Sequence, residues 1–163
     1  MGLDYLKNEQ EIKERISVVF DELPFHDIFT PKDIARIFEG IYPQWDNAVY
    51  NCYLDRFGLP FQKKIGEFSK GMKMKLQIAC ALSHNTELLI MDEPTTGIDP
   101  VVRDEIQHIF MEYLQDGERS ILMSSHITSD LEKIADSVTF IDKGKLLISG
   151  YKDDILESHG ILK

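Results

Sequence analysis

A chain of 163 residues, 43% hydrophobic and 10% aromatic, is long enough to bury a core and reads as one domain, or one domain with a small subdomain; its composition argues against disorder. Its 28 acids against 18 Lys and Arg give a formal net charge of -10, which argues against a nucleic-acid partner, since phosphate-backbone binders carry a basic face that displaces counterions. No stretch approaches the ~18 apolar residues of a bilayer span, and the opening MGLDYLKNEQ holds no apolar signal region, so any membrane role comes through a partner.

In chain order, NEQEIKERISVVF offers Asn8 as a helix cap with Glu11 three residues on, then a β-branched run from Ile16 to Phe20, and predicts a short helix followed by a strand. After the turn-like DELPFHD, Thr30 is a cap and Pro31 the first helical residue of a segment whose Ile34, Ile37, Phe38 and Ile41 share one face. A polar break, YPQWDN, precedes a second amphipathic run with Val49, Tyr53 and Phe57 aligned, closed by Gly58. Trp45 and Tyr42, flanking Pro43, are either local packing or contacts for a partner. FSKGMKMKLQIACALSHN opens a third helix. Cys52 and Cys80 lie far apart, without zinc-like spacing, and read as reduced core residues of a cytosolic protein.

From Leu88 the pattern changes to short apolar strands alternating with helices. ELLIMD is followed by a helix carrying Val102, Ile106, Ile109, Phe110 and Tyr113 and closed by Asp116 and Gly117. SILMSSH is the next strand, and SDLEKIAD the next helix, with Ser129 and Glu132 in capping-box spacing. VTFIDKGKLLISG reads as a hairpin turning at Lys143 and Gly144, and KDDILES as a closing helix. Continuous apolar strands separated by helices imply an α/β fold with a largely parallel, covered sheet. The expected organisation is a helix and strand over residues 1–22, a helical subdomain over 23–85 and the rest of the α/β core over 86–163.

In such sheets ligands bind beyond the carboxyl ends of the strands, where Asp92, Glu93 and His126 fall. An acid there can hold a magnesium ion, or it can simply cap the following turn; its neighbour can polarise a water. The context PTTGIDP favours the chemical reading. From about Lys13 to Gly150 the sequence resembles the nucleotide-binding domains of ATP-binding cassette (ABC) proteins, through LLIMDEP, GIDP and MSSH in that order, with FSKGM ahead of them. The resemblance implies a P-loop NTPase-like core with an inserted helical subdomain. It assigns Asp92 to magnesium, Glu93 to the general base, Asp99 to communication across a dimer interface and His126 to the terminal phosphate.

FSKGM resembles the family's signature sequence, so Ser69, Lys70, Gly71 and Met72 are expected at a nucleotide held by the opposite subunit; a serine at a helix start is also a plain cap. Lys70 and Met72 stand where the family usually has glycine and glutamine. Asp21 stands where the family commonly has glutamine, and is either a second magnesium ligand or a turn acid before Pro24. The family's glycine-rich phosphate-binding loop, ending in Gly-Lys-Ser/Thr, has no match, and neither has its adenine-stacking aromatic. The chain is therefore expected to begin after that loop, to bind ATP weakly or not at all, and to self-associate through strand edges that a missing central strand would leave open. Three readings follow: part of the ATP-hydrolysing subunit of a bacterial exporter, cytoplasmic and held at the membrane by a permease; a non-catalytic interaction module; or a non-transporter ATPase of the same family.

Overall fold

The computed structural model describes residues 2–158, so residue 1 and residues 159–163, at the ends of the segments expected from sequence, lie outside the described residues. The elements run α1 (Glu9–Arg15), β1 (Ile16–Val19), α2 (Pro31–Ile41), α3 (Asn47–Arg56), a single 3-10 turn (Ile65–Glu67), α4 (Lys70–Leu82), β2 (Leu88–Asp92), α5 (Pro100–Tyr113), β3 (Ser120–Ser124), α6 (Thr128–Ile134), β4 (Ser137–Asp142), β5 (Lys145–Tyr151) and α7 (Lys152–Ser158). They group into two compact units divided between Ser124 and Ser125.

In the first unit β1, β2 and β3 form a parallel sheet in that order, with Val19 opposite Met91 and Asp92 opposite Ser124. The crossover from β1 to β2 contains α2, α3 and α4, and that from β2 to β3 is α5. Apolar side chains explain the stacking: Val19, Leu89 and Met91 from the sheet, Leu76 and Ile78 from α4, and Ile106, Ile109 and Phe110 from α5 are all buried. Burying one such side chain contributes roughly 1.5–3 kcal/mol. The α/β class and the parallel sheet expected from sequence are both present.

Of the caps expected from sequence, that of α2 forms in full. Thr30 accepts from the backbone N–H of Asp33 while the Asp33 carboxylate accepts from the Thr30 N–H, a complete capping box with Pro31 behind it. Asn8 occupies the cap of α1 but makes no side-chain cap bond; its Nδ2 donates instead to the Asp4 carbonyl at 3.0 Å. The Ser129–Glu132 box does not form either, because α6 begins at Thr128 and Ser129 already lies inside it.

Two amphipathic stripes also differ from expectation. Asp46 caps α3, accepting from Ala48 and Val49 N–H, and the helix turns Tyr50 and Leu54 inward rather than Val49 and Tyr53; Phe57, just past its end, is buried as expected. On α2, Ile34 is buried but Ile41 is 62% exposed. Cys80 is buried, and burial pushes its thiol pKa up, whereas Cys52 is exposed and not a core residue. Trp45 and Tyr42 both pack locally against neighbouring rings. Phe38 lies 5.5 Å from Tyr42 and 5.2 Å from Trp45, Trp45 lies 5.0 Å from Tyr50, and Tyr42 stacks on His84 at 4.1 Å.

The second unit is an antiparallel hairpin of β4 and β5 followed by α7, with α6 ahead of it. Lys143 at φ 48° and Gly144 at φ 74° both take the left-handed backbone that a two-residue hairpin turn requires. Among the described residues no helix is long and apolar enough to cross a membrane.

Candidate functional site

Parallel pairing brings the carboxyl ends of β1, β2 and β3 to one rim of the first unit, with Asp92 and Glu93 at the end of β2 and Asp21 just past β1. Asp92 is the last residue of β2 and is exposed. Ser124, directly opposite on β3, donates its hydroxyl to the Asp92 carboxylate at 2.6 Å. The same Ser124 accepts from the Glu93 N–H twice over, through its carbonyl at 3.2 Å and its hydroxyl at 3.1 Å. Glu93 is held at φ 47°, a left-handed backbone that costs a non-glycine residue about 1–3 kcal/mol. Its carboxylate accepts from the Thr96 hydroxyl at 2.7 Å, which folds the PTTG turn back on the strand end.

Asp99 is the N-cap of α5, accepting from the Val101 N–H at 2.9 Å, with Pro100 at the first helical position. Ser69 caps α4 in the same manner, accepting from the Met72 N–H at 3.2 Å. The helix start packs closely on the segment after β2. A Cβ on Gly71 would stand 3.1 Å from Val102 Cγ1 and 3.7 Å from Ile98 Cγ2, so glycine is what permits this approach. His126 lies two residues past β3, in the second unit, ahead of α6.

Asp21 and Lys70, assigned separately from sequence, meet: Lys70 Nζ donates to Asp21 Oδ1 at 2.7 Å. The helical spacing of α4 accounts for the meeting, since Lys70, Lys73 and Gln77 project from one side of the helix. Lys73 Nζ reaches Asp27 at 3.2 Å. Gln77, which is buried, holds both backbone groups of Phe20: Nε2 donates to its carbonyl at 3.0 Å and Oε1 accepts from its N–H at 3.1 Å. The end of β1 is thereby fixed on α4, with Asp21 immediately beyond.

Ser124 and Gln77 are the residues of this site that sequence reasoning did not single out. The first was accessible in principle, because aligning LLIMD with SILMS as parallel neighbours places Ser124 beside Asp92. For Gln77 there was no signal beyond a polar residue on the inner side of an apolar helix. Beside β1, on the first unit, lies a groove of about 1030 Å³ whose lining includes Leu6, Val18, Phe20, Phe25, Ile41 and Tyr42.

The family model described as ABC transporter matches residues 2–96, a span that ends just past Glu93. The ABC transporter ATP-binding protein NatA of Bacillus subtilis is 34% identical over 163 residues, covering 96% of this chain and 66% of that protein. The bacitracin transport ATP-binding protein BcrA of Bacillus licheniformis is 36% identical over 148 residues, covering 90% of this chain and 48% of that protein. The chain thus spans about half to two thirds of the length of these relatives. A solved ATP-binding subunit of an ABC transporter superposes with a TM-score of 0.83 at 25% identity, over 98% of this chain and 68% of the other. With that fold, that match and the acidic strand end in its expected place, the chain belongs to the ABC transporter family of ATP-binding proteins.

Proposed function

We propose that this chain is a portion of the ATP-hydrolysing subunit of a bacterial ABC exporter, energising transport across the membrane in company with a second nucleotide-binding domain and a membrane permease. In this reading Asp92 holds magnesium and Glu93 orients the water that attacks the terminal phosphoryl group. His126 stabilises that group. Ser69, Lys70, Gly71 and Met72, with Asp99, serve the nucleotide of the opposite subunit. The observation that carries the reading is the left-handed backbone of Glu93 immediately after Asp92. Strain of this kind concentrates at working sites, and here it falls where an open parallel sheet offers its ligand crevice.

The donor set suits magnesium rather than a dedicated metal cage. Among the described residues no three His, Cys, Asp or Glu gather to hold a metal ion. Magnesium at phosphate sites takes one or two carboxylates and completes its shell with water and phosphate oxygens, which Asp92 can satisfy. Bound there, the ion would neutralise developing charge on the phosphate oxygens.

The likeness to BcrA, a bacitracin transport protein, supports an exporter of antimicrobial compounds as the larger assembly. The groove beside β1 supports docking of an apolar element of a partner; in this reading the partner is the permease, which holds the subunit at the cytoplasmic face of the membrane. Among the described residues β3 pairs with β2 alone, and we expect its other edge to promote self-association. Sedimentation showing a monomer at all concentrations would count against that.

No Gly-Lys-Ser/Thr loop occurs in the 163 residues. The carboxylates of Asp21, Asp92 and Glu93 oppose an anionic ligand, so ATP binding by these residues alone is expected to be weak or absent. Calorimetric titration with magnesium and ATP tests this, and micromolar binding overturns it. Within a longer protein that carries such a loop, Glu93→Gln should abolish turnover and spare binding; unchanged turnover refutes the role given to that carboxylate.

A further inference from the structure

The Lys70 side chain bonds one segment besides its own helix and passes near another. Its ammonium is bonded to Asp21 beyond β1 at 2.7 Å. The same ammonium and Cδ pass Gly97, where an added Cβ would meet them at 3.7 and 3.9 Å. Gly97 itself is at φ 69°, in the turn between Thr96, which binds Glu93, and Asp99, which caps α5. Both charged groups are accessible, with side chains 43% and 48% exposed, so salt and competing ions can reach the pair.

We infer that Lys70 is a positioning residue: Asp21 draws its ammonium toward the end of β1, and the side chain so oriented sets the placement of the Gly97 turn behind the Asp92–Glu93 strand end. The carboxylate of Asp21 thereby acts on a segment it does not touch. Removing its charge lets the lysine chain swing away and the turn relax, whereas Gln77, bonded to the Phe20 backbone, keeps β1 itself in place. The asymmetry distinguishes positioning from general support, because β1 stays fixed and only the turn responds.

The test is amide NMR of the whole chain, comparing wild type with Asp21→Asn, Lys70→Met, Lys70→Arg and the Asp21→Asn/Lys70→Met double variant. Asp21→Asn and Lys70→Met are expected to shift the Gly97 amide in the same direction, the double variant no further than Lys70→Met, and Lys70→Arg to stay near wild type. The Val18 and Val19 amides should remain unmoved in all four. Circular dichroism checks that each variant folds, and the exposed positions of both residues make folding the expected result. The inference is overturned if Asp21→Asn leaves Gly97 at its wild-type shift, or if the two single effects add in the double variant. Magnesium and ATP added to the same samples report separately on nucleotide binding, so a failure there sinks the functional reading without touching the Gly97 result.

Discussion

The Ser124 hydroxyl donates to the carboxylate of Asp92 at 2.6 Å while accepting from the N–H of Glu93 at 3.1 Å, so one side chain on β3 organises both acids at the end of β2. Ser124→Ala removes both bonds and leaves the Glu93 N–H with the Ser124 carbonyl alone. The expected loss is about 1 kcal/mol of stability, since each hydrogen bond nets about 0.5–1.5 kcal/mol and both of these are exposed, where water takes over much of the bonding. Urea unfolding of the two proteins measures it; equal midpoints would mean that solvent replaces the serine without cost.

Glu93→Gly and Glu93→Gln form an informative pair. Glutamine retains the side-chain length and an acceptor for Thr96 but also the left-handed backbone, whereas glycine adopts φ 47° without strain. The glycine variant is expected to be more stable than the glutamine variant by about 0.5–1 kcal/mol, read from thermal or urea midpoints. An order reversed beyond error would place the Thr96 bond above the backbone strain.

Gly66 is fixed by crowding rather than by an unusual backbone. An added Cβ would fall 2.9 Å from Asp27 Cβ and 3.2 Å from the Asp27 carbonyl oxygen, which accepts from the Gly66 N–H at 3.0 Å. Gly66→Ala must therefore push apart two backbone segments joined by that bond. A destabilisation of about 1–3 kcal/mol is expected, measurable by chemical unfolding.

His84 carries the pH dependence. It is buried, stacked on Tyr42, and within 2.7 Å of the Ser17 hydroxyl, which also bonds Thr86 at 2.7 Å. Burial lowers its pKa below the ordinary 6.5, offset in part by a bond to the Glu14 backbone. The folded form thus holds His84 neutral while the unfolded chain takes up a proton at higher pH. Its contribution is complete above pH 6.5 and is lost as pH falls toward the lowered folded value. Wild type should lose stability between about pH 7 and about pH 5 more steeply than His84→Gln, and parallel slopes would remove His84 from the account.

Much of this was legible in the sequence because local chemistry and tertiary packing agreed. Thr30 and Pro31 specify the start of α2 without help from elsewhere, and LLIMD and SILMS are both strands, though only β2 is covered as expected: Leu89 and Met91 are buried, whereas β3 buries none of its residues and Leu122 is 61% exposed. Disagreement arose where neighbours decided the outcome. The inward stripe of α3 depends on Asp46 fixing where the helix begins, and Tyr50, whose hydroxyl donates to the Pro31 carbonyl at 3.0 Å, fills the space beneath α2. Asn8 was drawn to the Asp4 carbonyl instead of its own helix. At the site, the order of Asp92, Glu93 and Asp99 along the chain pointed to the strand rim. The union of Asp21 with Lys70 did not, because nothing in two charges 49 residues apart announces that they meet.

The lone indole of the chain, Trp45, sits among Phe38 and Tyr50 with its Nε1 donating to Asn47 at 2.9 Å. Its fluorescence consequently watches the packing of α2 on α3, within the first unit. A melt followed by emission and again by far-ultraviolet ellipticity would superimpose if the whole chain lost order in one cooperative event, and would separate if the hairpin unit melted on its own schedule.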